Sequence, residues 1–106
     1  MDLKELGENL GLELDEFVEI VKLFVSTADS DIEKIKNALL KEDAESAAEA
    51  AHSLKGSAGN LGFKEMSDIA LNAERNASEN NLAGFEDVTK ILTEKLDEVK
   101  SLLKEI

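Results

Sequence analysis

A chain of 106 residues has room for one domain and no second one. Its 12 Lys and Arg stand against 24 Asp and Glu, a formal charge of −12 that repels phosphate backbones and disfavours nucleic-acid binding. The absence of Cys excludes a disulfide scaffold, a thiolate metal site and a cysteine nucleophile. No apolar run approaches the roughly 18 residues of a membrane span, and Met1-Asp2-Leu3-Lys4-Glu5 lacks a signal peptide's apolar stretch. A soluble, cytoplasmic protein is expected. With no Pro, and with Phe as the only aromatic residue, long helices are favoured over a sandwich or barrel, so the fold class expected is all-α.

In chain order, residues 2 to 10 are expected as a short lead-in helix. A long amphipathic helix follows from an N-cap at Asp15. Its stripe is Phe17, Ile20, Val21, Phe24, Val25, Ala28, Ile32, Ile35 and Leu39, and it runs to about Glu42, with a break at Thr27 to Asp31 left open. Asp43 is expected to cap the next helix, through Ala47, Ala50, Ala51, Leu54 and Ala58, which ends in the glycines up to Gly62. A further helix carries Met66, Ile69, Ala70, Ala73 and Ala77 and dissolves in Ser78-Glu79-Asn80-Asn81. The last starts near Gly84 and is expected to bury Phe85, Val88, Ile91, Leu92, Val99, Leu102, Leu103 and Ile106. Amphipathic helices joined by short connections favour an up-down antiparallel four-helix bundle, closely packed where the helices are Ala-rich, in one domain spanning residues 1–106.

The chain has a single His, His52. Projected at about 100° per residue from Ala47, the apolar residues of its helix cluster on one side, while His52 falls near 140°, Gly59 near 120°, Gly56 near 180° and Lys55 near 80°. His52 is therefore expected to face solvent, with both helical glycines on its face. Glycine costs roughly 1 kcal/mol against Ala in a helix interior, and a solvent-facing surface gives no packing reason for it. Gly59 has a plain reading as the start of a helix C-cap. Gly56, one turn after His52, leaves a flat patch where another surface can come close. An ordinary surface His beside a fraying helix end and a reactive imidazole both remain open at this point.

Most other chemistry is excluded. Ser53 diverges from His52 by about 100° on a helix and is poorly placed as its nucleophile. A zinc site lacks further His or Cys ligands, so no metal site is expected. Asp29-Ser30-Asp31 lacks the Gly and Glu of a calcium loop and reads as plain helix surface. Gly56-Ser57-Ala58-Gly59 matches a GXXG loop only in letters, because charge and helical pattern contradict RNA binding. No Gly-Lys-Ser/Thr is present, so no Walker-type nucleotide loop exists. What is left is a His that accepts a covalent group while another protein completes the active site.

The run Ala51-His52-Ser53-Leu54-Lys55-Gly56-Ser57-Ala58-Gly59-Asn60-Leu61-Gly62 closely resembles the signature of histidine-containing phosphotransfer (HPt) domains of multistep phosphorelays. The resemblance extends to the long preceding helix with Phe24 and to the Ala/Leu-rich helix with Glu74 late in it, and covers most of residues 14 to 106. Phe63 departs from it, standing where a small residue is more usual, and reads as core.

The resemblance implies a four-helix bundle, a phosphoacceptor at His52 and a phosphate-supporting Lys55, with Gly56, Gly59 and Ala48 forming a surface for partner approach. It further implies a phosphoryl carrier without catalysis of its own and without a cofactor, Mg²⁺ belonging to the partner receiver. The partners implied are response-regulator receiver domains or a sensor histidine kinase, and a monomer is expected. The alternative within signalling is the phosphoacceptor domain of a chemotaxis-type histidine kinase, whose kinase core would follow Ile106. An acyl-carrier-like protein, whose modified Ser starts a helix, and a structural helical adaptor are more distant.

Overall fold

With no proline to interrupt it, the chain is helical over most of its length. The computed structural model describes residues 2–106, and among these it holds five helices and no strand. They are α1 (Leu3–Asn9), α2 (Leu14–Leu40), α3 (Ala44–Asn60), α4 (Lys64–Ser78) and α5 (Phe85–Lys104). The expected lead-in helix is α1, capped by Asp2, whose carboxylate accepts the Lys4 N–H at 3.0 Å. Asp43 caps α3 as expected, accepting the Ser46 N–H at 3.1 Å and its hydroxyl at 2.6 Å.

The start of α2 differs from expectation. Its N-cap is Glu13, and Asp15 lies inside the first turn. Glu16 reaches back to accept the Glu13 N–H at 3.1 Å, the reciprocal bond of a capping box. The helix runs unbroken through Thr27 to Asp31, and the Thr27 hydroxyl is absorbed by the Leu23 carbonyl. It stops at Leu40 because the chain turns over itself, Asp43 N–H donating to the Ala38 carbonyl and Glu42 N–H to that of Leu39. This closure requires a left-handed residue, and Glu42 fills the place at φ 52°. The end of α3 closes in the same way, Phe63 N–H to Ala58 and Gly62 N–H to Gly59, with Gly62 at φ 86°.

The expected stripes form one hydrophobic cluster drawn from all five helices. Phe17, Val21, Ile35, Ala47, Ala51, Leu54, Ala58, Ala70, Leu92 and Val99 are inaccessible to solvent. Phe63 is core, its ring centroid 5.2 Å from that of Phe24. Three expected core residues are instead exposed: Ile20, Ile91 and Ile106. Ile91 adjoins the buried Leu92, about 100° around the helix, and the inward place four residues beyond Leu92 is taken by Leu96. α3 packs between α2 and α4, α5 packs against α2 and α4, and α1 lies on α2. Among the described residues no helix is long and apolar enough to cross a membrane.

Two stability changes follow. Leu54→Ala, at a fully buried position, is expected to lower unfolding free energy by about 2–5 kcal/mol, whereas Leu23→Ala, 71 % exposed, shifts it by less than about 0.5 kcal/mol. Glu42→Gly relieves a left-handed non-glycine residue and is expected to raise the denaturant midpoint, by about 0.5–1 kcal/mol in free energy.

Candidate functional site

Alanines set the spacing at the site. Ala47, Ala51 and Ala58 on α3 and Ala70, Ala73 and Ala77 on α4 are all buried, and short side chains let the two backbones come close. The outer edges of the helices then lie near enough for side chains to bridge them. His52 stands on the outer edge of α3 with its side chain 66 % exposed, as the projection requires. Lys55, three residues on, is half-buried beside it.

Both meet Glu74 of α4. One Glu74 oxygen, Oε2, lies 2.6 Å from His52 Nδ1, and the other, Oε1, accepts from Lys55 Nζ at 2.7 Å. The Lys55 bond holds the Glu74 carboxyl below the ordinary carboxylate range, burial opposes this, and the His52 bond adds to the lowering. An ionised carboxylate has no proton to give, so the short contact to His52 needs a proton on Nδ1. In the neutral ring Nε2 then carries the free lone pair. No local pattern assigns Glu74 this task, because its partners lie 19 and 22 residues away on another helix.

The glycines separate. A Cβ at Gly56 would meet nothing within 4 Å, so that position is open to an approaching surface. Gly59 is different: its Cβ would lie 3.1 Å from Ser67 Oγ of α4. The expectation that no packing reason exists for Gly59 is therefore corrected, since α4 occupies the space above it. Ala48 is half-buried against the core, one turn before His52.

On the opposite flank of α3 the Ser53 hydroxyl donates to Asp31 Oδ2 of α2 at 2.8 Å. Asp31, expected on the surface, is 4 % exposed. It shares the inward stripe of Phe24, Ala28 and Ile35, and a lone carboxylate on an apolar stripe is the signal that would have revealed it. Ser67, which donates to the Lys55 carbonyl at 2.9 Å, carried no such signal. Among the described residues no three His, Asp or Glu side chains converge on one point where a metal ion could sit.

The linkage of Glu74 has a definite sign. A carboxyl lowered on folding adds stability above its ordinary pKa of 4.5, and that contribution is lost as pH falls through the lowered value. Glu74→Gln is expected to be less stable than the wild type at pH 7, the gap closing as pH drops below about 4 in denaturant titrations.

Neither a curated protein nor a solved structure matches the chain at a significant level. A family model described as the Hpt domain does match, over residues 19–102, and so takes in α3, α4, most of α2 and almost all of α5. With well over half of its length matched, including the helices that carry His52, Lys55 and Glu74, the chain belongs to the Hpt domain family.

Proposed function

We propose that His52 is the phosphoacceptor of this chain, taking a phosphoryl group from the phospho-aspartate of one receiver domain and passing it to the aspartate of another. Hpt domains are phosphocarriers of phosphorelay signalling that interact with receiver domains and kinases. Residues 1–106 are read as one such domain, with the helices in an up-down antiparallel four-helix bundle. The observation that carries the reading is an exposed imidazole whose Nδ1 is tied to a carboxylate, leaving Nε2 toward solvent beside the open Gly56.

In the forward step the Nε2 lone pair attacks phosphorus, the bond from phosphorus to the acyl oxygen breaks, and the receiver's aspartate leaves as a carboxylate. The ring keeps its Nδ1 proton and becomes cationic, and Glu74 accepts that proton's hydrogen bond and stabilises the charge. A cationic ring is also a good leaving group, so the same contact favours onward transfer. Phosphoryl transfer of this kind depends on positioning and charge neutralisation more than on covalent machinery. The receiver brings Mg²⁺ and its own carboxylates. Lys55 supplies the one ammonium on the face of His52, in a chain whose formal charge is −12.

Incubation with phosphorylated receiver domains and Mg²⁺ is expected to move label onto the wild type and not onto His52→Gln, the label being acid-labile and alkali-stable. Failure of His52 to take phosphate from receivers and from phosphoramidate alike, or to return it to any receiver, overturns the proposal. Lys55→Ala and Glu74→Gln are each expected to slow transfer by roughly tenfold, the worth of a charge-assisted hydrogen bond. Unchanged rapid-quench kinetics remove the residue concerned from the mechanism. Gly56→Leu is expected to impair transfer from receivers while leaving labelling by phosphoramidate intact.

A further inference from the structure

Lys55 is held by α4 at both of its ends. Its ammonium bonds Glu74, and its backbone carbonyl accepts the Ser67 hydroxyl at 2.9 Å. Ser67 and Glu74 are seven residues apart, two turns of helix, so they lie on one stripe of α4 about 10 Å apart along its axis. As the α3 partners fall in number from Gly59 through Lys55 to His52, the α4 partners rise from Ser67 to Glu74. The site is thus one end of a two-point attachment between the helices, and Ser67 is the other.

Gly59 makes the second point possible. With a Cβ there, Ser67 Oγ would lie at 3.1 Å, tighter than ordinary contact. The hydroxyl is free to rotate away, but doing so gives up its bond to the Lys55 carbonyl. A displacement of α4 by a single residue's rise, about 1.5 Å, is enough to break the 2.6 Å contact between Glu74 and His52.

We infer that Ser67 is a positioning residue for the phosphoacceptor, setting the register of α4 on α3 so that Glu74 meets His52 Nδ1 and Lys55 together, and that Gly59 lacks a side chain to admit it. The role in transfer rests on His52 being the phosphoacceptor; the role in holding the imidazole does not.

The test reads the unphosphorylated protein first. Imidazole ¹⁵N shifts report the fraction of His52 protonated on Nδ1 in wild type, Ser67→Ala, Ser67→Thr, Gly59→Ala and the Ser67→Ala/Gly59→Ala pair. Thr93→Ala, which deletes a hydroxyl bond local to α5, serves as the control. Labelling rates with phosphoramidate and with a phosphorylated receiver are then measured on the same samples.

Ser67→Ala and Gly59→Ala are each expected to lower the Nδ1-protonated fraction and to slow phosphoramidate labelling by about fivefold, the worth of one ordinary hydrogen bond. Ser67→Thr retains both properties, and the pair is no worse than the poorer single variant because both changes act on one bond. Wild-type tautomer fractions in Ser67→Ala and Gly59→Ala overturn the inference, as does an equal shift in Thr93→Ala. A Gly59→Ala variant slowed only with the receiver, its tautomer intact, also overturns it and assigns Gly59 to partner approach. If the wild type takes no label from either source, the phosphoacceptor reading fails, while the tautomer fractions still decide the role of Ser67.

Discussion

One carboxylate between two nitrogen donors constrains everything around it. Glu74 accepts from His52 with one oxygen and from Lys55 with the other, so the two donors must share a face of α3. Their spacing of three residues provides that. The carboxylate must also sit within one side-chain length of α3, which limits how bulky the residues between α3 and α4 can be. Were Glu74 protonated, one of its two acceptor roles would be lost, and the Lys55 bond is what opposes protonation most strongly. The Lys55–Glu74 pair is only partly exposed, so it adds stability at neutral pH as well as fixing the orientation of the two donors.

The packing beneath meets those demands without polar atoms left over. α3 packs tightly against α4, and among the described residues no buried side-chain polar atom lacks a partner. α3 is also secured on its other flank, where Asp31 receives the Ser53 hydroxyl in an otherwise apolar stripe. A buried carboxylate there is tolerable because it accepts a hydrogen bond. Ser53, adjacent to His52, therefore faces α2 and belongs to the frame of the site rather than to its chemistry.

Periodicity carried most of the architecture in the sequence. The apolar spacing of α2, the Asp43 cap and the polar run after Ala77 each have local causes, and each appears where expected. The outward direction of His52 followed from the same local geometry. What escaped notice depends on which helix faces which. Glu74 has a partner only once α3 and α4 lie side by side, and Gly59 looks unoccupied until Ser67 stands over it. Two smaller departures are local but chemically ambiguous. Glu13 outcompetes Asp15 as a cap through its pairing with Glu16, and Glu42 adopts a conformation normally left to glycine.

His52 stands on a ridge outside a sealed hydrophobic cluster, with Leu54 fully buried two residues away. On the proposed reading, a group added at Nε2 lands outside that cluster beside the open Gly56, so no buried cavity has to form to receive it. A group held there would lie on the surface, within reach of a partner that touches the ridge itself.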